Sequence, residues 1–254
     1  MRMLIIGGCH TYGYGLRPGK SFVEQFGRRL QQVGEQVSMD YYTPFDLPLA
    51  GSLVRQLDLD SYDLIVLQLG NYRLQHPSAF ANLLKKHQQI ILKPGAGQRP
   101  KPANLGALRS HSPVPFPNPP STLKRIKSAF KLLTLKAMAQ VGQVGRLTEM
   151  QQQLTDLLHY LQPHRRKVVL LTPFPHLDMV SRWLRERGRD LFRQIGQQQG
   201  VHVLDTHLYI CPEKQYFLTD DSGHLNTIGH ELIGLYLFDF YQNQVRERLA
   251  EAVF

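Results

Sequence analysis

Two short stretches at opposite ends of the chain hold residue types that together perform acyl transfer. "GGCHTYGYG", residues 7–15, follows the apolar run "MLII" and puts Cys9 on the turn where a first strand hands over to a helix. "DDSGHLNTIGHELIG" puts Asp221 three residues before His224, in a glycine-containing loop that opens a helix. A carboxylate at that offset can bond one imidazole nitrogen and fix the tautomer, leaving the other nitrogen to move a proton. A nucleophile on a strand-to-helix turn is exposed at the sheet edge, and its own backbone N–H can help hold an oxyanion. A thiol with an oriented histidine is a competent acyl acceptor.

Each motif also has a plainer reading. A cysteine is a small apolar residue that fills the buried end of a strand, and Asp-x-x-His can be a helix N-cap beside a surface histidine. The pairing of the two motifs favours the chemical reading. Other residues are weaker candidates. Asp220 has the wrong offset, and the side chain of His10 should diverge from that of its neighbour Cys9 and at most line the pocket. His176 reads as rim, Asp205 as a loop stabiliser, and Cys211 as a resolving thiol only if its loop converges on Cys9. The eleven histidines show no paired ligand spacing with the cysteines, so no metal is expected. No P-loop or GxGxxG fingerprint is present, and no cofactor is expected.

The elements that must position these residues alternate strand and helix. "RMLIIGG" reads as a buried strand, and "SFVEQFGRRLQQVG" has helical spacing with Phe22, Phe26, Leu30 and Val33 on one face. "QVSMDYY" reads as a second strand and "SLVRQL" as a short helix. "YDLIVLQLG" is a continuous apolar run ending in glycine, as expected of a central parallel strand. Then come a helix over "RLTEMQQQLTDLLHYL", a strand over "KVVLLTPFP", a helix over "MVSRWLRERGRDLFRQIGQQQG" and a strand over "VHVLD". The last helix starts near Asn226 and runs through "ELIGLYLFDFYQNQVRERLAEA". The expected fold is a three-layer α/β/α domain with a doubly wound, five-stranded parallel sheet of the flavodoxin-like type. Ligands of such sheets sit at the carboxyl ends of the strands, which is where Cys9 falls.

The chain has 254 residues and a formal net charge of +10, placed unevenly. Between Asp63 and Glu149 lie thirteen positive charges and no negative one, so the remainder is net acidic. Eight of the sixteen prolines fall between Pro94 and Pro120. We read residues 1–254 as one domain, with residues 93–142 as a basic, proline-rich insertion or lid between the third and fourth strands. Its apolar stripe (Leu123, Ile126, Phe130, Leu133) adjoins a lysine stripe (Lys124, Lys127, Lys131). That pattern suits an anionic partner or a membrane surface, and equally a solvated face. No recognition motif or stacking-aromatic pattern points to nucleic acid. Two cysteines are too few for a disulfide framework, and no signal segment or membrane span is legible, so a cytoplasmic location is expected.

The sequence resembles the SGNH/GDSL hydrolases. Their first block, Gly-Asp-Ser-x-Thr-x-Gly, aligns without a gap onto Gly7-Gly8-Cys9-His10-Thr11-Tyr12-Gly13. Their last block, Asp-x-x-His before the final helix, matches Asp221-Ser222-Gly223-His224, and their third, Gly-x-Asn-Asp, falls at "LQLGNYR". The resemblance implies an esterase, thioesterase or acyltransferase acting on acyl esters or thioesters, small or carrier-bound, with no metal. It makes Cys9 the nucleophile, Asp221 and His224 its base pair, and Cys9 with Asn71 the oxyanion hole. The departures bear on activity. Cysteine replaces the family's serine, and Gly8 its aspartate. Asn71 stands one residue early, Tyr72 and Arg73 fill the family's Asn and Asp places, and Gly51 is the only candidate for the second-block glycine. These departures leave an alternative: a catalytically silent relative that binds a ligand in the old cleft and docks an anionic partner through its insertion.

Overall fold

A computed structural model of the chain describes residues 1–44, 46–71, 74, 100–104, 132–133, 136, 145–219 and 221–246. Five strands form one sheet: β1 (Arg2–Gly7), β2 (Ser38–Tyr42), β3 (Leu64–Gln68), β4 (Val168–Leu171) and β5 (His202–Leu204). Their order is β2-β1-β3-β4-β5 and every pairing is parallel. This is the expected doubly wound sheet. Among the described residues, the α-helices with defined bounds are α1 (Cys9–Tyr12), α2 (Phe22–Gln32), α3 (Leu47–Val54), α4 (Gly145–Tyr160), α5 (Met179–Gln198) and α6 (Thr227–Phe240).

Alternation along each strand feeds two cores. Leu4, Ile6, Ile65, Leu67, Val168 and Leu170 pack under α3, α4 and α5. Met3, Ile5, Leu64, Val66, Val169 and Leu171 pack under α2 and α6. Both faces are covered, which is why the strand sequences read as unbroken apolar runs.

Local chemistry sets the helix starts. Ser21 caps α2 through a reciprocal box with Glu24: its hydroxyl accepts from the Glu24 N–H at 3.3 Å, and the Glu24 carboxylate accepts from the Ser21 N–H at 3.1 Å. Asp178 caps α5 and Asn226 caps α6, accepting from Ser181 and Gly229 respectively. The third helix differs from expectation. It begins at Leu47, five residues ahead of "SLVRQL", because Asp46 caps it and Pro48 sits in the first turn, where a missing N–H costs nothing. The last helix gives way to a π-helical turn over Tyr241–Val245, and the rest of the expected span lies outside the described residues.

The order in which successive strands are added reverses between β1 and β3, a switch point at whose carboxyl ends sheets of this kind bind ligands. Gly7 ends β1 and pairs with Gln68 of β3. A Cβ at Gly7 would stand 2.4 Å from the Thr11 methyl and 2.7 Å from the Gln68 carbonyl oxygen, so only glycine lets β1 turn into α1 so close to β3. Most of the basic insertion lies outside the described residues, including Lys124, Lys127 and Lys131. Residues 100–104 run beside the end of β2, where Ala103 N–H donates to the Tyr41 carbonyl at 2.7 Å.

Candidate active site

Cys9 is the first residue of α1, immediately beyond β1, and is 3% exposed. The loop that precedes α6 brings His224 to it. That loop is pinned on both sides: Leu218 N–H donates to the His224 carbonyl at 3.0 Å, and Leu177 N–H donates to the Ser222 carbonyl at 2.9 Å. Because Asn226 caps α6, Asp221 is released from any capping role. Its Oδ1 accepts from the Gly223 N–H at 2.7 Å and the His224 N–H at 3.3 Å, while its Oδ2 accepts from the His224 ring through a short hydrogen bond to Nδ1. The Nδ1 tautomer is thereby fixed, and the ring's remaining nitrogen serves the hydrogen bond between His224 and Cys9. Asp221, His224 and Cys9 are all buried and form one continuous chain.

The electrostatics follow from these contacts. Burial alone would depress the His224 imidazolium, but the Asp221 carboxylate and the Cys9 sulfur outweigh it and push His224 up to about 9. Burial would raise the Asp221 carboxyl, but the His224 ring and the Gly223 and His224 N–H groups hold it below its ordinary value. These contacts favour an imidazolium held between a carboxylate and a sulfur.

Asn71 leaves β3 at the same sheet edge and is 5% exposed. Gly70, with φ at +86° and its missing Cβ position 2.8 Å from the Phe192 ring, makes the turn that admits it. The Asn71 Oδ1 accepts two hydrogen bonds, from Phe174 N–H at 3.0 Å and from Arg185 Nη1 at 2.5 Å. Its Nδ2 is buried with no acceptor among the described residues. An amide donor so placed suits an acceptor brought by a ligand. Tyr72 and Arg73 lie outside the described residues.

Other candidates fall elsewhere. Gly51 is inside α3 and not on a loop, so it supplies no turn donor. Cys211 is exposed while Cys9 is buried, and neither is in a disulfide. Asp205 forms a two-pronged ion pair with Arg189, with contacts of 2.7–2.9 Å, as a loop stabiliser would. His176 is buried, not rim: its Nδ1 accepts from Asp178 N–H at 2.9 Å, and burial with the nearby Arg185 charge lowers it to about 3. Asp220 lies outside the described residues.

Sequence reasoning understated three residues and overlooked two of them entirely. His10 is buried, stacks on the His224 ring at 5.2 Å between centroids and meets the Phe174 ring at a tilt with centroids 4.6 Å apart. Burial and the charge on His224 keep it neutral. Tyr12, one turn along α1, donates its hydroxyl to the Cys9 sulfur at 3.1 Å. Arg185 is fully buried. It was legible in principle, since it stands three before Gly188 and seven before Phe192 on the apolar stripe of α5.

No family model matches the sequence, and no curated protein matches it by sequence. Solved structures do share its fold. TesA superposes with a TM-score of 0.58 at 12% identity, covering 95% of this chain and 98% of that one. A family 3 carbohydrate esterase from Clostridium thermocellum gives 0.57 at 14% identity over 97% and 98%. A protein of the G-D-S-L family from Desulfitobacterium hafniense gives 0.53 at 12% identity over 94% and 98%. The chain has the three-layer fold of the SGNH/GDSL hydrolases.

Proposed function

We propose that the chain is an esterase- or thioesterase-type hydrolase, or an acyltransferase, working through an acyl thioester on Cys9. The observation that carries this reading is the unbroken line Asp221–His224–Cys9 at the carboxyl edge of the sheet. The esterase fold of the neighbours supports the same reaction class.

In this reading the Cys9 proton resides on His224, and the thiolate attacks the acyl carbonyl carbon. The carbonyl electrons move onto oxygen, where the Asn71 Nδ2 donor meets the developing charge. The tetrahedral species collapses, the C–O or C–S bond to the leaving group breaks, and His224 gives that group its proton. His224 then takes a proton from water or an acceptor alcohol, whose oxygen attacks the thioester. The C–S bond to Cys9 breaks, and the thiolate–imidazolium pair is restored. Asp221 holds the ring throughout. The lysines of residues 93–142 would dock an anionic carrier, acyl donor or membrane surface, a reading that rests on their one-signed charge.

Exposure to p-nitrophenyl acetate should leave an acetyl group on Cys9 that hydroxylamine removes, seen by intact mass and peptide mapping. Acetylation spread over lysines, or equal labelling of Cys9→Ala, would refute the thioester.

A further inference from the structure

Among the described residues, the Asn71 carboxamide is held by one end only. Both hydrogen bonds to it are received by Oδ1, one from the Phe174 N–H and one from the Arg185 guanidinium, which also donates from the same Nη1 to the Phe174 carbonyl at 2.9 Å. The amide has two orientations that differ only by exchanging oxygen and nitrogen. In the flipped orientation the NH2 group would face an N–H and a cation, a buried arrangement of donors against donors. The guanidinium stays charged at any accessible pH, so the preference cannot be titrated away. It also polarises the amide, since a hydrogen bond at one end of such a group strengthens the donor at the other.

We infer that Arg185 is a positioning residue for acyl transfer. It locks the Asn71 carboxamide so that Nδ2 is presented to the acyl oxygen, and it makes that N–H a stronger donor. The inference rests on the reading of Asn71 as oxyanion donor. It assigns a function to a fully buried arginine on α5, an element that carries none of the residues in the thiol–imidazole line.

The test compares two reactions of one sulfur. Acylation by p-nitrophenyl acetate passes through an oxyanion, whereas alkylation by iodoacetamide does not. Arg185→Gln and Asn71→Ala should each slow Cys9 acylation by ~10²-fold, the scale of one lost oxyanion donor. The double variant should be no slower than Asn71→Ala, and Arg185→Lys should recover part of the loss. Alkylation rates should stay at the wild-type value in all four. Multiplying effects in the double variant, or equal slowing of alkylation, would overturn the inference. Wild-type acylation in Asn71→Ala would instead sink the oxyanion reading of Asn71, and the inference with it. A wild-type Cys9 that alkylates but never acylates would sink the acyl-transfer reading, and with it the positioning role.

Asn71→Asp reads the lock without acyl chemistry and without altering Arg185. Its carboxylate keeps an oxygen facing the guanidinium, so at neutral pH the variant should melt no lower than wild type while losing acylation. A variant that melts far below wild type would show that Arg185 does not hold this side chain.

Discussion

Tyr12 and Cys9 occupy the last and first positions of the one-turn helix α1, and the Tyr12 hydroxyl donates to the Cys9 sulfur at 3.1 Å. Burial and the charge on Cys9 push the phenol far above its ordinary range, so Tyr12 remains a donor throughout the working pH range. With His224 bonded to the same sulfur, two donors converge on one atom. Such a sulfur is well matched to resting as a thiolate, because hydrogen bonds to the charged form favour it.

Removing the Tyr12 hydroxyl therefore tests how the thiolate is held. Hydrogen bonds to charged groups contribute ~1.5–3 kcal/mol, which corresponds to a rise of about one pH unit or more in the midpoint of alkylation. Tyr12→Phe should show that rise in an iodoacetamide rate profile. An unchanged midpoint would mean the contact supports packing only.

His224→Ala should slow both alkylation and acylation at neutral pH, because the proton partner of the sulfur is gone. Asp221→Asn keeps the shape of the contact but favours the wrong tautomer, a change that has cost ~10⁴ in rate where a histidine is oriented by a carboxylate. Acylation kinetics for both variants provide the check. Wild-type rates in either would exclude the histidine pair from the mechanism.

Stability should depend on pH through the same pair. His224 rises from 6.5 when unfolded to about 9 when folded, so its contribution is complete below 6.5 and is lost as pH climbs through 9. Asp221 is lowered from 3.8, so its contribution is complete above 3.8 and is lost as pH falls through its folded value. The gap in melting temperature between wild type and His224→Gln should be widest between pH 3.8 and 6.5 and should narrow toward 9. A gap that widens with rising pH would reverse the assignment of charge.

Cys9→Ser places an alcohol where the sulfur stands, and an alcohol keeps its proton until a base takes it. Weak turnover of short acyl esters should persist, with an activity that climbs as His224 becomes neutral. Cys9→Ala should be inactive. Turnover of p-nitrophenyl esters across pH 5–10 separates these outcomes, and activity in Cys9→Ala would remove the residue from the mechanism.

Gly7→Ala tests the turn itself. The added methyl meets the Thr11 side chain and the fixed Gln68 carbonyl. Overpacking of this kind costs ~1–3 kcal/mol, so a denaturant titration should show a matching loss. An unchanged midpoint would show that β1 can move away from β3 at this point.

Much of the architecture was legible because two-sided burial writes itself as uninterrupted apolar strands, as in Leu64–Gln68. Cys9 could be singled out by its place on a strand-to-helix turn, and Asp221 and His224 by their spacing ahead of a helix; the fold places the three side by side. What escaped depended on environment. Pro48 looks like a helix breaker and is in fact a helix starter. Arg185 finds partners that only the fold supplies, an amide 114 residues away and a carbonyl in the loop ahead of its own helix. Tyr12 faces Cys9 only because residues 9–12 coil into a helical turn, where positions three apart meet. For Asn71 the position was visible, but which end of its amide is engaged was not.

The packing of α6 on α2, sealed where His230 accepts the Phe22 N–H across 208 residues, also has a bearing on how the protein is made. Cys9 is translated well before His224, so the thiol exists in the nascent chain before the imidazole that meets it in the fold. Until the segment carrying His224 docks, the hydrogen bond between that side chain and the Cys9 sulfur cannot form. Chains arrested ahead of Asp221 should therefore alkylate at Cys9 no faster than an unstructured peptide. On the proposed mechanism, the order of synthesis itself keeps the thiol apart from its base.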